Sequence, residues 1–463
     1  MTVETSKSKT PKAVLKQVLE PAKPKKILII GGGYAGFYTA WKLEKLLKKG
    51  EAEVTLVDPL PYMTYQPFLP EVAAGAIEAR HVIVSHRQHL RKTKLISGRM
   101  VQVVHKSKKA TIAIEGGKDI TLSYDQIVMT AGAVTKTFPI DGIAENAIGM
   151  KTIEEALEVR NRLFGNFERA ASLPKSNPLR KRLLTLIVVG GGFAGIEAFA
   201  ELRSTATALL RYYPEISFDE VNFHLIEAMG RIMPEVSDKT AAKVIENLNK
   251  RAGFVHLNTQ VVSAKDGKVK LSTGQVFESD LIIWTAGVAA APVAKNCDFP
   301  LDARHRLTAN TKLQIIEGEK VVKNAWTAGD VSAVPDLSGG GVGGYCVPNA
   351  QHAVRQAKLL AKNIVANLRG EELRDYRWKT IGAVAGLGLG IGAIKVGNFG
   401  MIGFFPWLAH RGYHGLAMPT WERKIRVISG WVWNAILGRD LVAIEATKTP
   451  RLFFQTWATK PGK

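Results

Sequence analysis

The stretch from residue 27 to residue 43 reads ILIIGGGYAGFYTAWKL, and the stretch from residue 186 to residue 202 reads LIVVGGGFAGIEAFAEL. Each places a glycine loop between a β-branched apolar run, typical of a buried strand, and a helical pattern. Glycines at such a turn let the backbone approach a pyrophosphate, whose charge lies at the positive N-terminus of the helix. We therefore expect two dinucleotide-binding loops, formed by Gly31, Gly33 and Gly36 and by Gly190, Gly192 and Gly195.

The similarity between the two halves extends past the loops. Each helix is followed by a strand-like run that ends in an acid, Asp58 in the first half and Glu227 in the second. Asp58 follows Gly36 by 22 residues, close to the spacing of a ribose-hydroxyl acceptor, whereas Glu227 follows Gly195 by 32. A carboxylate at Glu227 would repel a 2′-phosphate and favour NADH, although nearby Arg231 leaves NADPH open. Each half later repeats a TAG strand end, which adds Ala131, Gly132, Ala286 and Gly287.

The length of the chain fits two such units. Its 463 residues exceed the roughly 250 to 300 that one core supports, and 46% of them are apolar. We predict an α/β fold with two Rossmann-like dinucleotide-binding domains and a C-terminal membrane-associating segment. The predicted segments are a basic flexible tail (1–24), the first domain in two parts (25–148 and 301–370), the second domain (149–300) and the C-terminal segment (371–463).

Charge and ligand-type residues narrow the function classes. The formal net charge of +22 indicates an anionic partner, either nucleic acid, a phosphate-bearing ligand or an acidic membrane surface. Cys297 and Cys346 form no CxxC motif, so we predict neither a zinc site nor a dithiol, and we expect a reducing cytoplasmic setting. His410 and His414 lie four residues apart, but Gly412 is expected to interrupt a helix there, and we predict no metal.

Two nucleotide sites in one chain indicate hydride transfer between a nicotinamide and a flavin. In the TAGD run at 327–330, Gly329 and Asp330 are predicted to form a strand-to-helix turn where the acid contacts flavin hydroxyls or caps the helix. Gln351 lies on a predicted helix of mixed polarity, and its amide can both donate to and accept from a quinone. The sequence around Gln351 alone favours a surface glutamine.

The paired loops, TAGA with TAGV, AGD and the run GYCVPNAQHAVRQA (344–357) resemble the two-dinucleotide-binding-domain flavoproteins. Within them the chain is most similar to type II NADH:quinone oxidoreductases, the non-proton-pumping respiratory dehydrogenases. The resemblance covers residues 25 to about 440. It implies FAD in the first domain, NADH in the second, hydride transfer from NADH to FAD, and two electrons passed on to a membrane quinone.

The same resemblance assigns roles to single residues. It implies that Asp330 contacts FAD, that Gln351 contacts the quinone, and that Glu197 lies near the nicotinamide and the quinone. Glu197 occupies the place that Tyr38 has in the first repeat, so Glu197 and Gln351 are the predicted catalytic residues. Arg355 stands where the family often has a glutamine. The family also places the run YMTYQPFLPEVAAG (62–75) over the flavin.

Other members of the superfamily remain as alternatives. One is a protein like the sulfide:quinone oxidoreductases, which use cysteines. Another is a soluble NADH-dependent flavoprotein reductase, either a ferredoxin reductase or a nucleic-acid-binding protein like apoptosis-inducing factor. The main prediction involves no nucleic acid, and the disulfide reductases are disfavoured because the chain lacks an adjacent redox-active cysteine pair.

The C-terminal segment indicates a membrane surface. Residues 381–409 contain one charged residue, Lys395, but their many glycines favour strands and turns over a transmembrane helix. From Thr420 onwards an apolar row recurs at helical spacing beside tryptophans and cations. These residues are Trp421, Ile425, Ile428, Val432 and Ile436, with Trp431, Trp433, Arg423, Lys424, Arg426 and Arg439. We predict a peripheral protein on the cytoplasmic face of the cell membrane, with a core helix or a homodimer contact as alternatives for this element.

Overall fold

A computed structural model describes residues 23–339, 341–379, 382–397, 399–442, 444, 451–452 and 455–456. The predicted basic tail lies outside these residues except for Lys23 and Pro24. The described residues form a mixed α/β fold with two parallel sheets, which confirms the predicted fold class. The predicted domain limits stay predictions.

The first sheet carries the first glycine loop. In spatial order its strands are Gln314–Glu317, Lys320–Thr327, Gln126–Met129, Lys25–Ile30, Ala52–Asp58 and Lys94–Ser97, all parallel except the first pair. Side chains alternate between the faces, so Ile27 and Ile29 join one core cluster while Leu28 and Ile30 join another. The continuous apolar run arises because both faces of this sheet are covered.

The second sheet repeats this arrangement around the second loop. Its five strands are all parallel, in the order Ala147–Ile148, Leu281–Trp284, Thr185–Val189, Asn222–Ile226 and Gly253–His256. Leu186 and Val188 again lie in one cluster, and Ile187 and Val189 in another. In both sheets the strand before the TAG motif ends ahead of it, at Met129 and at Trp284.

Short antiparallel pieces connect and cover the two sheets. Ala133–Thr135 pairs with Val288–Ala290, so the segments that follow the two TAG motifs are hydrogen-bonded to each other. Two three-stranded sheets consist of Arg99–Val104, Lys109–Ala113 and Ile120–Ser123, and of Val261–Lys265, Lys268–Leu271 and Val276–Glu278. Two further pairs join Tyr62–Thr64 to Ile83–Ser85 and Leu307–Thr308 to Ser332–Ala333.

The helices pack against these sheets. They are α1 (Tyr34–Leu46), α2 (Leu69–Ala73), α3 (His86–His89), α4 (Ile143–Asn146), α5 (Ile153–Ala171), α6 (Pro178–Leu183), α7 (Phe193–Leu209), α8 (Asp238–Lys250), α9 (Ala350–Arg369), α10 (Phe404–Ala417) and α11 (Trp421–Leu437). Short 3-10 turns lie at Gln66–Phe68, Ala79–Val82, His105–Ser107, Phe218–Glu220, Pro292–Asn296 and Val342–Gly344. From the sequence, α1 is predicted to start at Phe37 and α7 at Ile196, because the last glycine of each loop is assigned to the turn, and both helices start three residues earlier.

The C-terminal segment combines a small sheet with α10 and α11. Its antiparallel strands are Gly382–Gly386, Gly392–Val396 and Phe399–Gly403, as the glycine-rich pattern predicted. The expectation that Gly412 interrupts a helix is wrong, because α10 continues through it and packs on this sheet. Over the residues that the structure describes, none of the helices is both long and apolar enough to cross a bilayer.

Candidate active site

The two glycine loops have the same backbone conformation. Gly31 and Gly190 adopt φ values of +97° and +110°, a region that residues with a Cβ rarely occupy. A Cβ on Gly36 would overlap the carbonyl oxygen of Gly31, and a Cβ on Gly195 would overlap that of Gly190. These glycines are therefore required by the close packing of each helix on its own loop.

The middle glycines have a different role, because the space beside them is open. A Cβ on Gly33 or on Gly192 would meet no atom within 4 Å. Each of them precedes the first turn of its helix, α1 or α7, without a side chain that caps the helix. The first N–H groups of both helices can thus face a phosphate, so both loops fit the pyrophosphate of a dinucleotide.

Two threonines that the sequence reading did not select hold the loops in place. The Thr130 hydroxyl lies 3.0 Å from the carbonyl oxygens of both Ile30 and Gly31, and donates to them. The Thr285 hydroxyl makes the equivalent contacts to Val189 and Gly190, at 2.8 and 3.2 Å. In the sequence, these two threonines are visible as the first residue of the repeated TAG motif. The predicted binding residues Ala131, Gly132, Ala286 and Gly287 directly follow these threonines.

Asp58 and Glu227 bind their own glycine loops. Asp58 accepts hydrogen bonds from the N–H groups of Gly32 (2.5 Å) and Leu60 (2.7 Å). Glu227 accepts from Gly191 (2.5 Å) and Met229 (2.7 Å) in the same way. Burial raises the pKa of Asp58. Each carboxylate keeps lone pairs for a further donor such as a ribose hydroxyl. The longer spacing before Glu227 therefore leaves its contacts with the glycine loop the same as those of Asp58.

Asp330 lies at the end of the first sheet, but not before a helix. The strand ends at Thr327, and the turn leads into the short strand Ser332–Ala333. The Asp330 carboxylate lies 3.5 Å from the Lys151 ammonium, and both side chains are largely buried. The N–H of Gly329 donates to Gln356 at 2.8 Å, which ties this turn to α9.

One cavity of about 1590 Å³ extends between the two repeats and the C-terminal segment. It is lined by the first turns of α1 and α7, by the segment over residues 65–70, by the start of α9 and by the end of α10. It brings together the predicted residues Glu197, Gln351 and Gly287. Asp58, Glu227 and Asp330 do not line it and lie at the strand ends around it.

Gln351 lies in the first turn of α9 and faces this cavity, so it is not a simple surface residue. The side chain of Asn349 caps the helix by accepting from the N–H of His352 at 2.8 Å. Arg355, which also lines the cavity, donates to the Gln351 carbonyl oxygen at 2.9 Å and stacks on Trp378 at 3.9 Å. The Gln351 side-chain amide is left without a protein partner among the described residues, so it can bind a ligand.

Glu197 lies one turn inside α7, because the helix starts at Phe193 and not at the predicted later position. Its Oε1 atom accepts from the N–H of Gly386 at 2.9 Å and lies 3.2 Å from Nε2 of His410. Burial alone lowers the pKa of His410, but the contact with Glu197 and the charges of Glu71 and Glu201 outweigh it and raise the pKa. The two side chains are only 12% and 3% exposed.

Further buried charges surround this pair, and the sequence did not predict that they lie together. Glu71 lies 3.2 Å from Arg411, and Glu201 lies 3.2 Å from Arg439. Each partner belongs to a segment far away along the chain, so no local pattern joins them. The only local feature of the sequence that indicates this cluster is the pair of glutamates one helical turn apart on α7, Glu197 and Glu201.

Three predictions about the C-terminal element are wrong. Arg423 is 13% exposed, lies 3.2 Å from Glu422 and donates to the Arg80 carbonyl oxygen, so it does not face lipid. Arg439 points inward to Glu201 and is 9% exposed, so it does not meet lipid. The indole of Trp431 also points inward, and its Nε1 donates to Glu71 at 2.9 Å. The remaining apolar row on α11 faces solvent. Its side chains are between 43% and 77% exposed, and they belong to Trp421, Ile425, Ile428, Val432, Trp433, Ile436 and Leu437.

Neither cysteine has the properties of a redox-active thiol. Burial raises the pKa of both Cys297 and Cys346 to about 11, which keeps them as unreactive thiols at neutral pH. Both are free. In the part of the chain that the structure describes, no cluster of three or more potential ligands could hold a metal ion.

Comparison with known proteins identifies the family. The family model of pyridine nucleotide-disulphide oxidoreductases matches residues 25–357. The chain belongs to this family. The pyridine nucleotide-disulphide oxidoreductase fold accounts for the two repeats, although its disulphide chemistry does not fit the two buried thiols described above.

Individual relatives indicate a narrower group of enzymes within this family. A probable NADH dehydrogenase of Dictyostelium discoideum is 26% identical over 90% of both chains. The type II NADH:quinone oxidoreductase NdhA of Mycobacterium tuberculosis is 28% identical over 88% of this chain and 86% of its own. The solved structure of NDH2 from Plasmodium falciparum in complex with NADH has a TM-score of 0.82, with 19% identity, over 91% of this chain and all of its own. The predicted resemblance to type II NADH:quinone oxidoreductases is thus confirmed.

Proposed function

We propose that this chain is a respiratory NADH:quinone oxidoreductase that holds FAD at the first glycine loop and binds NADH at the second. The observation that carries the proposal is the shared cavity. It touches the first turns of both loop helices, α1 and α7, and it also contains Gln351. Two nucleotides bound at the two loops would therefore direct their reactive ends into one space, which an electron acceptor can also enter.

The protein supplies binding and orientation, whereas a bound flavin supplies the two-electron redox chemistry. The open N-termini of α1 and α7 bind the pyrophosphates, and Asp58 and Glu227 accept from ribose hydroxyls. The carboxylate of Glu227 repels a 2′-phosphate and so selects NADH. Lys151 holds Asp330 beside the first site.

Gln351 and Glu197 serve the second half of the reaction. Gln351 donates its amide N–H to a quinone carbonyl oxygen, and its position in the first turn of α9 adds the positive end of that helix. Glu197 faces the same cavity with one carboxylate oxygen engaged by Gly386 and His410. The other oxygen can orient the nicotinamide or transfer a proton.

The quinone partner implies a membrane surface, and the exposed row on α11 supports one. Tryptophans at headgroup depth and apolar side chains below them are typical of interfacial helices. Lys424 and Arg426 add cations next to this row, and the net charge of +22 favours anionic lipid. We infer a peripheral location on the cytoplasmic face, and no nucleic acid takes part.

Turnover measured on the purified full chain tests the function. We expect an oxidised-flavin absorbance spectrum and oxidation of NADH that depends on a water-soluble quinone, with NADPH a poorer substrate. Sulfide replaces NADH in a parallel assay, and a ferredoxin replaces the quinone in another. Quinone-independent turnover, or a preference for sulfide or ferredoxin, contradicts the proposal.

A further inference from the structure

The contacts between α7, α2 and the C-terminal segment contain three buried carboxylates, each with one cation. Glu71 pairs with Arg411, Glu201 with Arg439, and Glu197 with His410, each at 3.2 Å. The six side chains are between 2% and 12% exposed. Each pair joins the nucleotide-binding part of the chain to the segment that follows residue 400.

One of the three pairs differs from the others in its chemistry. An arginine keeps its charge over the whole physiological pH range, whereas histidine is the side chain that gains and loses a proton there. The arginines paired with Glu71 and Glu201 therefore stay charged. The pair formed by Glu197 and His410 can bind or release one proton.

Glu197 is the member of this pair that reaches the cavity. Among the described residues that line the cavity, the carboxylates are Glu197 and Glu235, whereas Glu71, Glu201 and His410 do not line it. Glu197 therefore connects His410 to the cavity.

We propose that His410 and Glu197 share one proton and that His410 acts as the store from which Glu197 protonates the product formed in the cavity. This inference rests on the proposed function. Conversion of NADH and a quinone into NAD+ and a quinol transfers one hydride, and the quinol needs one further proton. In the step proposed here the N–H bond at Nε2 of His410 breaks, a proton passes to Glu197, and Glu197 releases it to a quinone oxygen. After product release, a proton from solvent in the cavity passes to Glu197 and through it back to His410.

His414 adds no second positive charge beside His410. The His414 ring lies 4.7 Å from the His410 ring, and its Nδ1 is 3.0 Å from the Tyr65 hydroxyl. Burial and the neighbouring His410 hold the pKa of His414 well below its usual range, so His414 stays neutral. The groups facing His410 are therefore three carboxylates, of which two are neutralised by arginine, and one neutral imidazole. His410 acts through Glu197 and is a positioning residue.

A titration of the full, flavin-loaded protein tests the shared proton without substrate. In protein labelled with 13C at histidine, the His410 signal is identified by its loss in His410→Gln. We expect it to keep the imidazolium shift to a pH above the ordinary histidine value of about 6.5, and to titrate at lower pH in Glu197→Gln. A His410 that stays neutral from about pH 5 to pH 9 overturns the inference.

Kinetics test the delivery of the proton. His410→Gln keeps an amide donor beside Glu197 but carries no charge, so we expect kcat to fall by about 10- to 100-fold while KM for NADH is unchanged. We expect kcat of the wild type to decrease as rising pH removes the proton from His410, and we expect this decrease to be absent in His410→Gln. His105→Gln is the matched control, because it removes a buried imidazole that contacts Tyr124 and Lys323 and not the cavity.

The outcomes separate the two proposals. An unmodified protein that does not oxidise NADH with a quinone overturns the proposed function. An active protein in which His410→Gln keeps the wild-type kcat and pH profile overturns only the role of His410.

Discussion

Gly36 lies so close to Gly31 that a Cβ atom on Gly36 would overlap the Gly31 carbonyl oxygen, and Gly195 has the same relationship to Gly190. The same steric requirement therefore acts twice in one chain. Because the two loops belong to different sheets, each can be disrupted without direct damage to the other.

Alanine at each position should remove one ligand selectively. We expect Gly36→Ala to lose most of its flavin absorbance, because the first loop must open to admit the methyl group. Gly195→Ala should keep the flavin but bind NADH at least about tenfold more weakly, a loss of about 1.4 kcal/mol. Absorbance of the purified proteins and titration with NADH measure these effects.

Gly50, a loop glycine with open space beside it, provides the control for handling and folding. Gly50→Ala should retain both ligands, although its positive φ of +81° imposes some strain. If Gly195→Ala released the flavin and left NADH affinity unchanged, the assignment of the two loops would be reversed.

Glu227 should determine the choice between NADH and NADPH. Gly191 and Met229 donate to different oxygens of Glu227, so the single amide oxygen in Glu227→Gln keeps one of these two hydrogen bonds while the negative charge is lost. We expect the ratio of kcat/KM for NADH to that for NADPH to fall about tenfold. Asp58→Asn is the matched change in the first repeat and should leave this ratio unaltered. An unchanged ratio in Glu227→Gln excludes a contact with the ribose.

The two glycine loops could be predicted from the sequence because their determinants are local. Glycine spacing, strand periodicity and the terminal acid all lie within one βαβ unit, and the second copy supported the interpretation of the first. Even the missed threonines, Thr130 and Thr285, were visible as a repeat. Their hydrogen bonds to the loops could not be predicted without the strand order, which brings each TAG motif next to its glycine loop.

The charge pairs could not be predicted, because each joins residues that are distant in sequence. Helical periodicity identified the apolar row of α11, but it did not reveal that Trp431 and Arg439 turn inward. Glu71 and Glu201 determine that direction, and they are on other elements. Similarly, Gly412 weakens an isolated helix, but packing of α10 on the small sheet stabilises it there.

Exposed tryptophans on α11 should control binding to lipid. Trp421 and Trp433 are 77% and 59% exposed, and serine at both positions removes the groups that enter the headgroup region. We expect the double variant to bind vesicles that contain anionic lipid at least about tenfold more weakly in a sedimentation assay. Its thermal unfolding temperature should match that of the wild type.

Tyr212→Ser is the control for this experiment, because Tyr212 is 67% exposed after the end of α7 and far from α11 in sequence. Equal loss of vesicle binding in both proteins points to a general effect of hydrophobicity. If the double variant instead changes the molecular mass measured by light scattering, the row is a homodimer contact.

The ion pair between Arg180 and Glu220 should make stability depend on pH. Nε and Nη2 of Arg180 donate to the two Glu220 oxygens at 2.5 and 3.1 Å, and the arginine side chain is 3% exposed. The hydrogen bond from Arg180 lowers the pKa of Glu220 from 4.5 to about 2. Because the folded value is below the unfolded one, the pair stabilises the fold fully above about pH 4.5 and loses this effect as pH falls towards 2.

Urea unfolding of Glu220→Gln measures this contribution. We expect a loss of about 2 kcal/mol in the free energy of unfolding at neutral pH, since a buried guanidinium loses its charged partner. The difference from wild type should stay constant from about pH 8 to pH 5 and shrink at lower pH. Glu246→Gln breaks an exposed pair with Lys250 and should leave the free energy of unfolding almost unchanged. A deficit in Glu220→Gln that does not shrink below pH 4.5 means that packing, and not the charge of Glu220, stabilises this site.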